Sequence, residues 1–457
     1  MMAVLLPFAS GLASGQTPAA APDKTEFHPP VNKTLSEVAP RQAASSPKSE
    51  FLAPVGKALA NHGITPEVNL IQFLLGNSSL GEKTGEEEAL TLFSVGADFN
   101  LKKIAKVPGA TLHLEELFVP TTSNQDYGGY VGDDIGGQPP PYIPYIYHLT
   151  RATWEQDLLR KKLNVEFGKE NMGRYLVKTV CNQDFTCQSP LTQYSGGAGL
   201  NPAPYGNWMW RATVNVTPQL HVTGAEWRSS IAFPFAEGWG LHRTNTRGGD
   251  YNTAGFDVIY ATPNPHDPKA HSYEALFTRN TATQHDPATG AAVHGAKMLY
   301  LGGKQPFWVG GQRKAPVPTS LSAFASTNIS FTPENNTGLS ASANWGIQSN
   351  GPFAKRPFDS YSLKMTWMRE TESEHTALLV ANKAAGGTGA INNRSEIGIG
   401  PDANFVVNKS LILCPYVTRV FHANTIMGPS YGGKMQDGWA GGVLFVVLLD
   451  RATGLVH

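Results

Sequence analysis

Long hydrophobic runs are missing from this chain. The longest unbroken aliphatic and aromatic run covers residues 443–449. A membrane-spanning helix needs roughly 20 such residues, so a helical membrane protein is excluded. Charge is sparse as well: 16% of residues are Asp, Glu, Lys or Arg, where soluble domains carry about a quarter. The 36 basic and 36 acidic residues cancel, which removes the electrostatic footprint of a nucleic-acid binder. Cysteine is limited to three residues, and no Cys/His spacing suggests zinc. HExxH is absent, and no complete Walker A motif ending in Lys-Ser or Lys-Thr occurs. The sequence therefore points to no metal, no cofactor and no enzymatic chemistry.

What the chain does have is turn formers and alternation. Gly 47 and Pro 33 suit many turns and argue against a helical protein. The stretch 207–228 shows the pattern most clearly. Trp208, Trp210, Ala212, Val214 and Val216 share one face of an extended strand, and Met209, Arg211, Thr213 and Asn215 share the other, because successive strand side chains point to opposite sides. Thr217-Pro218-Gln219 turns the chain. The return strand sets Leu220 and Val222 against His221 and Thr223. A bulge near Gly224 is expected to put Ala225 and Trp227 on the apolar face, with Glu226 and Arg228 on the polar one.

Such a hairpin fits a soluble sandwich, with its apolar face in a core, or an outer-membrane barrel, with that face in lipid. The rest of the chain separates the two. Strand-like runs recur at 68–75, 89–98, 110–118, 151–156, 163–169, 253–261, 272–279, 296–301, 321–331, 339–347, 361–369, 393–400, 411–422 and 441–450. With the opening hairpin they make about sixteen, an even number within the range of bacterial barrels. The connections 119–149, 171–205, 229–252 and 280–295 are long, while 217–219, 332–337 and 401–409 are short or compact. Soluble domains rarely carry so many long structureless loops, whereas barrels set long external loops against tight periplasmic turns. Trp154, Trp208, Trp210, Trp227, Trp345 and Trp367 near strand ends suit interfacial girdles. The expected fold is an all-β transmembrane antiparallel barrel.

Residues 1–21 read as a secretory leader without a basic n-region, and 22–50 as a disordered linker rich in Pro, Ala, Ser and Lys. A short periplasmic helix or turn is expected over 51–65, and the barrel over 66–457. Cys181 and Cys187, close together in VCNQDFTCQSP, suit a small-loop disulfide on an oxidising surface. Inward polar residues of the strands, Glu115, Glu166, Arg211, Glu226, Arg228 and Lys364, with Lys169 and Arg369 at strand ends, are the candidates for lining a solute path. Each alone is as readily part of an ion-pair ladder between neighbouring strands.

LANHGITPEVNL, SVGADFNLKKIAKVPGATLHL, LNVEFGKENMG, RATVNVTPQLHVTGAEW and LILCPYVTRVFHAN, in that order, resemble the carbohydrate-selective outer-membrane porins of the OprB family over roughly 51–450. The resemblance implies a sixteen-stranded barrel that passes sugars across the bacterial outer membrane. Two features depart from the family. Ala53-Pro54-Val55-Gly56-Lys57 stands where it has Trp-Gly-Gly-x-Arg, and Gly454-Leu455-Val456-His457 stands where barrels usually end in an aromatic residue. The partners implied are sugars or polyols as solutes and outer-membrane lipid and lipopolysaccharide around the barrel, with monomer and homotrimer both open. Two other functions compete: a plugged barrel acting as adhesin, enzyme or structural element, and a secreted all-β carbohydrate-binding protein.

Overall fold

The computed structural model describes residues 51–137, 146–177, 180–182, 205–230, 250–264, 267–311, 318–332, 338–389, 393–426 and 434–456. Its first strands are β1 (Ile64–Asn77), β2 (Glu86–Asn100), β3 (Ala110–Thr122), β4 (Ile146–Leu158), β5 (Leu163–Glu170), β6 (Asn207–Asn215), β7 (Leu220–Ser230), β8 (Asp250–Ala261) and β9 (Ser272–Asn280). A small ribbon follows, β10 (Thr283–His285) with β11 (Ala292–His294). Then come β12 (Lys297–Gly310), β13 (Thr319–Ser330), β14 (Leu339–Asn350), β15 (Ser360–Glu370), β16 (Ser395–Asn408), β17 (Leu411–Phe421) and β18 (Gly438–Leu448). The helices are α1 (Ala53–Asn61), α2 (Leu101–Ile104), α3 (Tyr127–Val131), α4 (Glu372–Ala384) and α5 (Leu449–Thr453). No helix among the described residues is long and apolar enough to cross a membrane.

Every strand except the β10–β11 ribbon joins one antiparallel sheet of sixteen, closed by β1 against β18. Closure leaves no edge strand, and with no water in the bilayer core every backbone group must find its partner within the sheet. Along β6 buried residues alternate with partly or fully exposed ones. Val214 and Trp210 are exposed, Arg211 and Thr213 buried. The exposed large side chains of the other strands, among them Leu74, Phe256, Phe277, Trp345, Ile347 and Leu363, lie in the same outward phase. This is the lipid-facing band.

The rims differ. The backbone N–H of Leu52, just before α1, donates to the Thr453 carbonyl at 3.0 Å, and a Cβ on Gly56 would lie 2.3 Å from the Leu455 carbonyl oxygen. Both described ends of the chain therefore meet at one rim, where the connections 159–162, 216–219 and 409–410 are tight. The long connections 123–145, 171–206, 231–249 and 371–394 all leave the other rim, which is the external one by the usual asymmetry of such barrels.

Three expectations are corrected. First, β7 has no bulge. Its register runs unbroken from Met209↔Trp227 to Asn215↔His221 and continues against β8. Gly224 simply fills an outward position, so alternation carries on through it. Glu226 and Arg228 thus point outward, and Trp227, 1% exposed, points into the barrel. The inward ring has room because Gly255 faces it, where a Cβ would lie 3.0 Å from the indole. Second, Arg369 is exposed on the outward side of β15 between buried Met368 and Glu370. Third, residues 401–409 are not a turn. β16 runs through Pro401, whose missing N–H coincides with a gap in the β16–β17 ladder between Ile399↔Arg419 and Asp402↔Tyr416.

Candidate functional site

The organising feature lies after β5. Gly168, at φ 139°, interrupts the alternation, and Gly168, Lys169 and Glu170 are all buried in succession. That φ favours a residue without a Cβ. The chain then turns through a single 3-10 turn, Met172–Arg174, and residues 171–177 and 180–182 lie inside the barrel.

One end of this segment is fixed to the wall of β3–β6. The Arg174 guanidinium donates to Glu115 on β3 and, at 3.3 Å, to Glu170 on β5. The Tyr175 hydroxyl donates to Glu166 at 2.9 Å and reaches Glu170 at 3.1 Å. Arg151 on β4 stands 2.7 Å from Glu170 and 3.6 Å from Glu166. Arg211 on β6 donates to Glu166 at 2.6 and 3.0 Å, with its guanidinium carbon 4.1 Å from the Tyr175 ring centre. His113 continues the ladder, bridging Asp98 at 2.5 Å and Glu155 at 2.9 Å. Met172, Tyr175, Leu176 and Val177 pack with Met209, Trp227, Leu276, Met298 and Tyr300 from the wall.

The other end reaches the opposite wall. The Val177 N–H donates to Glu274 on β9 at 2.8 Å. Asn182 Oδ1 accepts from Gln348 on β14, Ser360 on β15 and Asn404 on β16 at 2.7, 2.8 and 3.2 Å. Beside it Lys304 donates to Gln348 at 2.5 Å, and Lys364 donates to Asp402 at 3.0 Å. A single loop segment is thereby bonded to both sides of the lumen and divides its cross-section.

Of the residues expected at a solute path, Glu115, Glu166 and Arg211 come together in this network, and Lys364 lies across from it. Lys169 is buried at the external end of β5. Glu226, Arg228 and Arg369 are absent from it because they face outward. The members that are present are nearly inaccessible: Glu166 is 0% and Arg211 1% exposed. They fasten the loop and do not themselves present hydrogen bonds to a passing solute. The sequence reading missed Arg151, Glu170, Arg174, Tyr175 and Asn182. Arg151 and Glu170 carry an alternation signal at strand ends, but the loop residues carry none. Arg228→Ala should accordingly leave conductance unchanged, while Arg211→Ala should alter it through the loop, as single-channel recordings of both variants would show.

A second loop also turns inward. Tyr127, Val131 and Ile135 pack with Phe73 of β1, Val420 of β17 and Leu444 of β18 in one buried cluster. The lumen wall is apolar here, and this explains why 443–449 is the longest apolar run: β18 is apolar on both faces. Asp133 anchors the loop. Its Oδ1 accepts from the N–H groups of Ile135 and Gly136 at 3.0 and 2.6 Å, and its side chain is hydrogen-bonded to Glu396 of β16. Asp133 Oδ2 and Glu396 Oε1 are buried without a hydrogen-bond donor, and a proton shared between the two carboxyl groups would satisfy both. Burial pushes the Asp133 carboxyl above the usual aspartate range. A raised folded-state value means that the stabilisation is complete below the ordinary aspartate pKa and is lost as pH rises through the raised one. Limited proteolysis of this loop should therefore accelerate with rising pH in the native chain and much less in Asp133→Asn, which keeps a hydrogen bond without needing the proton.

Among the described residues no cluster of His, Cys, Asp and Glu could hold a metal ion. Cys181 is buried and half of a disulfide, and Cys414 is a free buried thiol. Cys187 lies outside the described residues.

A closed sixteen-strand barrel with external loops folded into its lumen defines the porin class. The high-pH structure of Pseudomonas putida OprB superposes at a TM-score of 0.68 with 15% identity, over 89% of this chain and all of that one. Its low-pH structure gives 0.52 and 12%, over 89% of this chain and 99% of that one. No curated protein matches the chain. The model of the family described as carbohydrate-selective porin, OprB family, matches residues 88–422, and the chain belongs to that family. It is a sugar channel of the bacterial outer membrane.

Proposed function

We propose that the channel passes mono- and disaccharides and related polyols by passive diffusion, with no chemical step, and that the loop portions 171–177 and 180–182 set its size limit. The observation that carries this is the double attachment of that segment, to Glu115 and Glu170 on one side and to Gln348, Ser360 and Asn404 on the other. A strut across the lumen narrows a barrel wide enough for an open aqueous channel to a passage of molecular dimensions. Lys304 on the far wall, partly exposed, is a donor that a sugar hydroxyl can share with water, while Gln348, Lys364 and Asp402 beside it are buried. Liposome swelling with polyols and sugars of increasing size tests it. Permeation should fall between disaccharides and trisaccharides, and equal rates for all sizes or for none would overturn it.

Two smaller expectations travel with this reading: outer-membrane lipid and lipopolysaccharide surround the barrel, and Cys181 pairs with Cys187. Mass spectrometry of unreduced peptides should recover the linked pair, and two free thiols would end that assignment.

A further inference from the structure

The outward face of the β9–β12 hairpin is layered. Phe277, Leu299 and Ile329 form one cross-strand row over β9, β12 and β13, all in the outward phase, with Phe277 and Ile329 exposed. The next row towards the external rim is Arg279 directly opposite Lys297. Phe331 continues it, exposed and donating its N–H to the Lys297 carbonyl at 2.9 Å. Above the cations the ribbon β10–β11 presents Thr283 opposite His294, both exposed, their side chains in contact at 3.3 Å.

Like charges facing each other across a strand pair are destabilising, and here both are exposed. Among the described residues the side chains of Arg279 and Lys297 have neither an ion pair nor a hydrogen-bond partner. The nearest acid on that row is Glu226, beyond Ala254 on β8 and so two strand spacings from Arg279, about 10 Å. It already accepts from the Trp210 indole at 3.3 Å. Arg279 and Lys297 therefore form a cationic pair at the level where the lipid-facing band ends, aromatic and aliphatic below and hydroxyl and imidazole above.

We propose that the outward face of Arg279 and Lys297 binds the phosphorylated headgroup of an outer-leaflet glycolipid, whose acyl chains lie along Phe277, Leu299, Ile329 and Phe331. The inference deepens the lipid contact suggested above, and it rests on the long-loop rim facing outside. A phosphate monoester suits the site because the planar guanidinium can bond two of its oxygens while the ammonium supplies a point charge. An acyl-linked phosphate suits it better than a free one, since the apolar row below offers nothing to a small anion.

The test uses the full-length chain in detergent micelles, with diphosphorylated lipid A as the probe and native mass spectrometry as the readout. The wild type should retain the lipid, and the double variant Arg279→Gln/Lys297→Gln should retain at least tenfold less. A control that removes two cations from the opposite rim, Lys102→Gln/Lys106→Gln, should behave as wild type. Dephosphorylated lipid A should bind the wild type no better than it binds the double variant. Equal retention by wild type and double variant would overturn the proposal. So would full competition by millimolar inorganic phosphate, which would mark a simple anion site. A change of oligomeric mass in the double variant without loss of lipid would instead make this face an interface between copies. Heat-modifiable gel migration confirms that each variant has formed a barrel. Labelling of Thr283→Cys by an impermeant maleimide on whole cells reads the orientation separately, so failure of the site and failure of the orientation give different results.

Discussion

Arg174→Ala should open the channel. The substitution leaves Glu115 and Glu170 buried beside one another without the guanidinium that now stands between them. Removing one partner of a buried ion pair typically costs about 3–5 kcal/mol, because the remaining charge stays desolvated. Segment 171–177 has few alternatives: its apolar side chains are held against Trp227 and Tyr300, but its charged anchor is this cluster. Its detachment should raise single-channel conductance several-fold and relax the size limit, while the strand ladder of the barrel is untouched. Glu170→Gln is the companion variant. It removes a charge but keeps a hydrogen-bond acceptor, so a smaller rise in conductance is expected. Planar-bilayer recordings with both variants decide the matter: unchanged conductance in Arg174→Ala would show that the crossing segment is held by its apolar contacts and by the bonds of Tyr175, Val177 and Asn182.

Phe256→Arg should block assembly. Phe256 stands in the middle of β8, 55% exposed in the lipid-facing phase, between Gly224 of β7 and Phe277 of β9. A cation at the bilayer midplane on the lipid face costs about 2–4 kcal/mol. The same substitution at Val214 should be much milder, although Val214 is also outward and exposed. Val214 is the last residue but one of β6, beside the turn at 216–219, where the cost falls to about 0–1 kcal/mol as the side chain reaches water. The difference between the variants in the heat-modifiable fraction recovered from lipid vesicles measures that depth dependence. Equal damage at both positions would contradict the assigned membrane level of β6 and β8.

The sequence by itself determined the barrel and most of its sidedness. Period-two alternation has only two phases, and a continuous strand must put one of them towards lipid, so Trp210, Val214, Arg211 and Thr213 could be assigned from residue type alone. The distribution of long and short connections followed from the same local signals, since Gly, Pro, Asn and Asp mark turns wherever the chain later goes.

Where the alternation met a residue that fits either phase, the sequence was silent. At Gly224 a bulge and an uninterrupted strand read alike, and only the pairing of β7 with both its neighbours showed that Trp227 is inside while Glu226 and Arg228 are outside. Pro401 reads as a turn signal, yet a local gap in one ladder accommodates it within a strand. The strut is the largest item that only tertiary structure decided. Arg174, Tyr175 and Asn182 lie in a loop with no period, and their partners Glu115, Arg151, Gln348 and Ser360 come from strands far away in sequence. Hydrogen bonds and ion pairs depend on distance in space, and closure of the sheet is what brings those strands around one lumen. For the same reason the sequence placed Glu115, Glu166, Arg211 and Lys364 inward but did not show that they would bond to a loop and to neighbouring strands.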